Sequence, residues 1–112
     1  MAKFNKDFLK HLLAAPGPSS FESRPAAIWR KQAESYGASL RSDAYGNTFA
    51  SFNTGKKPRV MLAGHIDEIG LMVTYIDSEG FVYFKGVGGW DSQQLVGQRV
   101  RIWVIRATLW GS

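Results

Sequence analysis

The sequence predicts an α/β fold class, in which a helix-and-strand layer is followed by the strands of a small antiparallel barrel or sheet. Up to residue 36, apolar residues recur at helical spacing. After residue 37 the pattern changes to short, partly alternating segments bounded by turn residues, which is typical of strands. A nearly continuous apolar run at residues 59–65 favours a strand that is buried on both faces, as in an α/β layer.

Two helices are predicted in the first third of the chain. Residues 4–14 carry phenylalanines and leucines at helical spacing after Asn5, which is a suitable N-cap. A Pro-Gly-Pro stretch then ends this helix. A second helix is predicted over residues 23–36, because Pro25 suits a first helical turn and Gly37 is a natural stop.

Six strands are predicted from the remaining sequence. Tyr45-Gly46-Asn47 and Ser78-Glu79-Gly80 are turn signals, so each is expected to join two strands in a hairpin. Glycine-rich residues 86–91 are expected to form a loop, and the change of pattern after Asp67 is abrupt. The predicted strands are residues 38–44, 48–53, 59–65, 70–77, 81–85 and 98–105.

Composition excludes several classes of protein. The 112 residues suffice for one domain, and the lack of cysteine excludes a disulfide scaffold or a thiolate metal site and suits the cytoplasm. The N-terminus is a poor signal peptide and no run approaches a membrane span, so we expect no membrane partner. The net charge of +5 would suit nucleic acid, but the basic residues are scattered apart from a cluster at 56–59. We therefore expect no nucleic-acid partner.

His65 and Asp67 are the residues in the sequence that best suit metal chemistry. In a strand, side chains two residues apart point the same way, so the Asp67 carboxylate can accept a hydrogen bond from His65. That bond leaves the other imidazole nitrogen free to bind a metal. A His-x-Asp triplet is also common by chance, so a simple hydrogen-bonded histidine stays open. A catalytic zinc needs about three protein ligands, and this pair supplies one.

Five stretches, in order, resemble the glutamyl/deblocking aminopeptidase family, whose members form tetrahedral (TET) particles and are sometimes labelled endoglucanases. The resemblance covers residues 1 to about 102. The matching segments are Leu12-Leu13-Ala14-Ala15-Pro16-Gly17-Pro18-Ser19-Ser20-Phe21-Glu22, Asp43-Ala44-Tyr45-Gly46-Asn47, Val60-Met61-Leu62-Ala63-Gly64-His65-Ile66-Asp67-Glu68-Ile69-Gly70, Gly88-Gly89-Trp90-Asp91 and Leu95-Val96-Gly97-Gln98-Arg99-Val100.

The resemblance implies a role for each matched segment. His65 is similar to a histidine ligand of one of two co-catalytic ions, usually zinc or cobalt, and Asp67 to the catalytic-site carboxylate that orients this histidine. Residues 1–67 would be the N-terminal part of a zinc-aminopeptidase α/β domain. Residues 68–112 would begin an inserted antiparallel barrel-like domain used for subunit pairing, so homo-oligomers are expected. The loop at residues 16–22 would lie beside the active site in a structural role.

The resemblance also implies that this chain carries only part of the enzyme. Family members are much longer, and the positions of their remaining metal ligands and general base have no match here. The tail at residues 103–112 departs from the family pattern. The chain is therefore expected to be the N-terminal portion of a metal-dependent aminopeptidase acting on peptides, inactive alone and unable to bind metal tightly.

Two other functions stay open. The chain could be a non-catalytic interaction or oligomerisation module, or, more weakly, an endoglucanase-type glycosidase, although no suitably spaced carboxylate pair is evident. Other candidate residues have structural interpretations. His11 is expected on a helix surface, Ser19 and Ser20 in a loop or at a helix start, and Trp90 packed into the barrel. Glu68 is not expected to be the general base.

Overall fold

The computed structural model describes residues 4–104, which form two α-helices, two antiparallel sheets of two strands each, and one 3-10 helix. The mixture of helix and sheet agrees with the prediction. None of the helices within these residues has the length and apolar character needed to cross a bilayer. The elements are α1 (Lys6–Ala14), α2 (Ser23–Ser35), β1 (Ser39–Ser42), β2 (Thr48–Ser51), β3 (Gly70–Ile76), β4 (Val82–Val87) and the 3-10 helix Ser92–Leu95.

Both helices begin and end close to the predicted residues. The Asn5 side chain caps α1 by accepting a hydrogen bond from the Phe8 backbone N–H at 3.0 Å. Pro25 lies in the first turn of α2, where the missing N–H of proline costs no helical hydrogen bond. Gly37 follows α2 with a φ of +79°, the left-handed conformation that glycine adopts readily after a helix. Local sequence signals therefore determine both helices.

Both predicted hairpins are present. β1 pairs with β2 from Ser39↔Ser51 to Ser42↔Thr48, and the turn between them contains Gly46 at a φ of +87°. β3 pairs with β4, and Gly80 in their connecting turn has a φ of +89°. The two turns need left-handed backbone at these glycines, which explains why the turn signals were informative.

Two predicted strands are wrong. Residues 59–65 make no strand ladder, and Val60, Met61 and Leu62 are 82%, 82% and 94% exposed. Residues 98–104 also lack strand pairing, and Ile105, the last residue of that predicted strand, lies outside the described residues. A strand forms only when a neighbouring strand satisfies its backbone N–H and C=O groups, and the four strands within residues 4–104 pair only as two hairpins. The apolar run at 59–65 therefore has the composition of a buried strand without the partners that would bury it.

Few residues of the described chain are buried. Gly17, Pro25 and Ala33 are the buried residues among 4–104. The radius of gyration is 18.6 Å, whereas a compact domain of this length would have one of about 13 Å. The firmest packing lies where the loop after α1 meets the start of α2, because two of the three buried residues are there.

Candidate functional site

His65 and Asp67 are in direct contact. His65 Nδ1 lies 3.1 Å from Asp67 Oδ1 and 3.1 Å from the Asp67 backbone oxygen. A carbonyl oxygen and an ionised carboxylate can only accept hydrogen bonds, so Nδ1 must carry the hydrogen. In the neutral ring, Nε2 then keeps its lone pair. The His65 side chain is 87% exposed, so an ion in solvent can approach that lone pair.

The contact forms although residues 59–65 are not a strand. The expectation that the two side chains meet holds, because Nδ1 and Oδ1 are in contact although these residues form no strand ladder. The predicted contact between the two side chains is therefore present, but its structural support differs from the predicted strand. It comes from a loop near the N-terminus rather than from neighbouring strands.

That loop, residues 17–19, is joined to Asp67 and Glu68 by four hydrogen bonds. The Ser19 hydroxyl donates to Asp67 Oδ2 at 2.6 Å, and the Ser19 backbone N–H donates to the Glu68 carbonyl at 3.3 Å. The Glu68 backbone N–H donates to the Gly17 carbonyl at 2.9 Å, and the Gly17 N–H donates to Glu68 Oε1 at 3.1 Å. Segments about fifty residues apart in sequence are thereby held side by side, as a single parallel bridge between Pro18 and Glu68.

Two glycines allow the loop to approach this closely. A Cβ atom at Gly17 would lie 2.6 Å from Cγ of Pro25, and one at Gly70 would lie 2.7 Å from Cβ of Pro18. Both distances are shorter than real carbon contacts, and neither proline ring can swing aside as a flexible side chain would. The loop is therefore packed between the first turn of α2 and the start of β3, and the Ser19 hydroxyl is delivered from a well-defined backbone.

The electrostatic environment keeps Asp67 ionised. The hydrogen bond from the Ser19 hydroxyl lowers the pKa of Asp67 below its ordinary value of 3.8, and the hydrogen bond and positive charge from His65 lower it further. Partial desolvation acts in the opposite direction but does not prevail. An ionised carboxylate with both oxygens engaged is a strong acceptor for the imidazole N–H, which favours the tautomer with a free Nε2.

The other candidate residues have structural contacts. The Glu68 carboxylate binds the Gly17 N–H, so Glu68 holds the loop. The Trp90 indole N–H donates to the Gly70 carbonyl at 2.6 Å, and its ring packs against Gly86 of β4, as expected for a tryptophan folded back onto the strands. His11 is exposed on α1, as predicted.

Ser19 is the residue whose place in the site could not be predicted. The sequence predicts a loop or a helix start for Ser19, whereas its contact with Asp67 spans 48 positions. The sequence did indicate that this loop lies near the site, because residues 16–22 resemble a family motif found beside the active site. Its neighbour Ser20 makes a different contact, in which the backbone N–H donates to Glu22 Oε1.

The described residues do not form a complete metal site. Within residues 4–104, no group of three or more histidine, cysteine, aspartate or glutamate side chains is placed to hold an ion. The pair offers one imidazole donor and the carboxylate that orients it, compared with about three protein ligands for a catalytic zinc. The chemistry of this donor suits zinc or cobalt, but the assignment of His65 as a ligand and Asp67 as its orienting residue stays a prediction.

Comparison with known sequences identifies relatives of the chain. The family model for M42 glutamyl aminopeptidases matches residues 46–112. A protein of Acetivibrio thermocellus named as an aminopeptidase is 37% identical over 85% of this chain and 28% of its own length. A lysyl aminopeptidase of Pyrococcus furiosus is 30% identical over 94% of this chain and 30% of its own length.

A solved structure has the same arrangement of helices and strands. The crystal structure of a TET aminopeptidase from a marine sediment Thaumarchaeota archaeon superposes with a TM-score of 0.75 at 38% identity, covering 82% of this chain and 26% of that one. The chain thus spans 30% or less of the length of each of these three proteins. Its helix-and-sheet fold corresponds to part of such a protein.

Proposed function

The chain belongs to the M42 glutamyl aminopeptidase family, and we propose that it is the N-terminal portion of a metal-dependent enzyme that removes N-terminal residues from peptides. The observation that supports this function best is the contact between His65 Nδ1 and Asp67 Oδ1 at 3.1 Å. It favours the ring tautomer that leaves Nε2 free to bind a metal. The TET aminopeptidase neighbour supports the same substrate class, since its name describes action at peptide N-termini.

In this proposal, His65 would hold one of two divalent ions, zinc or cobalt, through Nε2, and Asp67 would orient the ring. A carboxylate on the far nitrogen of a metal-bound imidazole is a recurrent arrangement that raises the basicity of the ligand. The bound ions would supply an activated water for hydrolysis. The other ligands and the general base belong to the part of the family fold that this chain does not span.

The division of the chain into two parts is also a proposal. Residues 1–67 would be the start of the α/β peptidase domain, ending at the metal-ligand pair. Residues 68–112 would begin an inserted barrel-like domain, and the β3–β4 hairpin is consistent with its first two strands. The lack of cysteine supports a cytoplasmic location for the protein.

The ligand role of His65 can be tested against an internal reference. The chain has two histidines, and His11 is exposed on α1. Within residues 4–104 it makes no carboxylate hydrogen bond of the kind that His65 makes. On titration with Co²⁺, we expect the His65 ring signals to shift and broaden at lower metal concentrations than those of His11. The measurement is a ¹H–¹⁵N spectrum of histidine-labelled protein, with His11→Gln as the matched control. Equal responses of the two rings would contradict the ligand role.

The expected inactivity of the 112-residue chain alone is tested separately. With Zn²⁺ or Co²⁺ added, we expect no release of anilide from aminoacyl-anilides, because one ligand cannot hold a catalytic ion. Appreciable turnover that is abolished by His65→Gln would refute the expectation. Cellulose assayed in parallel tests the weaker glycosidase alternative.

A second candidate function, an oligomerisation module, is favoured by the surface of the β3–β4 hairpin. Five large apolar or aromatic side chains of this hairpin are at least half exposed: Tyr75, Ile76, Phe81, Tyr83 and Phe84. Within the described residues, each of its two strands pairs along one edge only. Free strand edges and apolar side chains favour pairing with another sheet. We expect the purified chain to elute as an assembly larger than 12.5 kDa in size exclusion with light scattering, and a monomer would contradict this function.

A further inference from the structure

We propose that Ser19 is a positioning residue for the metal-ligand pair: its hydroxyl holds the Asp67 carboxylate so that the opposite oxygen faces His65 Nδ1. This inference rests on the proposed function of His65 and Asp67. It adds a third residue, supplied by a loop 48 positions away in sequence, whose action reaches the imidazole through the carboxylate.

The two carboxylate oxygens of Asp67 have different partners. Oδ2 accepts from the Ser19 hydroxyl at 2.6 Å, and Oδ1 accepts from His65 Nδ1 at 3.1 Å. An aspartate side chain rotates about two bonds, χ1 and χ2. The χ2 angle, which orients the carboxylate, has a broad distribution of allowed values. A single partner would leave the carboxylate free to rotate about that contact. Partners on both oxygens restrict the rotation, so the Ser19 bond decides how often Oδ1 faces the ring.

The Ser19 hydroxyl comes from a backbone that is itself fixed. The Ser19 N–H is bonded to the Glu68 carbonyl at 3.3 Å, and the loop before it is packed on Pro25 and Gly70 through the close approaches described above. The Ser19 hydroxyl therefore reaches Asp67 from a restrained backbone, through the short serine side chain alone. Such restraint of a supporting group is what a positioning residue needs.

The chain offers a matched control in the next residue. Ser20 is exposed, and the contact found for it is made by its backbone N–H, to Glu22 Oε1 at 2.6 Å. Ser20→Ala therefore removes one hydroxyl oxygen from this part of the chain, as Ser19→Ala does, but it removes no hydrogen bond to Asp67. A general effect of losing a serine hydroxyl from this loop would appear in both variants, and an effect through Asp67 would appear at Ser19 alone.

The experiment measures the tautomer of His65 in the 112-residue chain. Long-range ¹H–¹⁵N spectra of histidine-labelled protein, taken at a pH where the ring is neutral, give the ratio of the Nδ1–H to the Nε2–H form. In Ser19→Ala we expect this ratio to fall by roughly fivefold, the effect of about one hydrogen bond. Ser20→Ala and Ser19→Thr, which keeps a hydroxyl, should retain the ratio of the unmodified chain. His11 should not change in any variant.

Each outcome decides between the roles of the three residues. An unchanged ratio in Ser19→Ala overturns the proposal, as does an equal fall in Ser20→Ala or in Ser19→Thr. Asp67→Ala removes the carboxylate and keeps the backbone oxygen that also lies 3.1 Å from Nδ1. It separates this result from the proposed function, because an unchanged ratio in that variant would remove the orienting role of the Asp67 carboxylate. A ratio that falls in Asp67→Ala but not in Ser19→Ala would leave the pair intact and exclude Ser19.

The backbone amides of Gly17 and Glu68 show whether the loop stays docked in each variant. Should Ser19→Ala shift these amides, Ser19→Cys provides the deciding comparison, because a thiol has nearly the same shape but is a weak donor. A ratio unchanged in Ser19→Cys with the loop docked would overturn the proposal, and a reduced ratio would support it.

Discussion

Asp43 and Asp67 are two carboxylates with similar electrostatics and different structural contexts. Asp43 closes the β1–β2 turn: its Oδ1 accepts from the backbone N–H groups of Tyr45 and Asn47 at 3.0 and 2.9 Å, and its Oδ2 accepts from the Asn47 side chain at 2.8 Å. The hydrogen bond from the Asn47 side chain is the largest of the effects that lower the pKa of Asp43 below 3.8.

The difference between the two lies in their partners. Within residues 4–104, every hydrogen-bond donor to Asp43 comes from within four residues, and each is a backbone or side-chain amide. Asp67 joins Ser19, 48 positions away, to an imidazole whose Nε2 is still available. A lowered pKa is therefore common to the turn carboxylate and to the carboxylate proposed to orient His65. The two differ in their partners, since only Asp67 contacts an imidazole among the described residues.

The largest expected effect comes from a substitution that separates Ser19 from Asp67 without replacing either of these two residues. In Gly70→Ala the new Cβ would lie 2.7 Å from Cβ of Pro18, and such overpacking costs about 1–3 kcal/mol. We expect a lower urea midpoint and loss of the Ser19–Asp67 contact, with the Asp43 turn unchanged. Gly64→Ala is the control, since its Cβ would meet nothing within 4 Å. Equal midpoints for the two variants would show that the loop is not packed as described.

A crossed pair of substitutions tests the comparison directly. Asp67→Asn should change the His65 tautomer ratio severalfold, because the ring N–H loses a charged acceptor, and should leave the β1–β2 amide signals in place. Asp43→Asn should weaken the β1–β2 hairpin and leave His65 unchanged. Both effects are read from the same ¹H–¹⁵N spectra. An effect of Asp43→Asn on His65 would mean that the two carboxylates are coupled and do not act independently.

The smallest expected effect is the pH dependence of the Asp43 turn. Because the pKa of Asp43 is lower in the folded hairpin than its ordinary value of 3.8, the hairpin gains stability from this group above pH 3.8. That stability is lost as the pH falls through the lower, folded-state pKa. Amide shifts of Asn47 and Thr48 should follow this loss at acidic pH and be flatter in Asp43→Asn. Salt should change the effect little, since its main cause is hydrogen bonding rather than long-range charge.

The parts of the fold that the sequence predicted correctly depend on neighbours in sequence. The helices and hairpins could be placed from local signals alone, because a cap or a turn glycine determines only the backbone within a few positions of itself. These residues are the N-cap Asn5 and the glycines Gly37, Gly46 and Gly80. The contact between His65 and Asp67 was predictable for the same reason, as the two residues are two positions apart.

The incorrect predictions concern residues that need distant partners. The apolar run at 59–65 and the segment at 98–104 have strand-like sequences, but strand pairing depends on chain segments that a local pattern does not specify. Ser19 was missed for the related reason that nothing in its own neighbourhood indicates Asp67. The contact between His65 and Asp67 could therefore be predicted from the sequence, whereas the contact between Ser19 and Asp67 could be found only in the structure.

The bridge between Pro18 and Glu68 has a consequence for the order in which this chain folds. The hydrogen bond between Gly17 and Glu68, which are 51 positions apart, closes a long loop, and loop closure of this length costs about 3.5 kcal/mol in chain entropy. The helices and the two hairpins need no such closure and form on the microsecond timescale of local structure. We therefore expect His65 to acquire its fixed tautomer late, so that a chain with all of its secondary structure formed would still lack an oriented imidazole until residues 17–19 have docked.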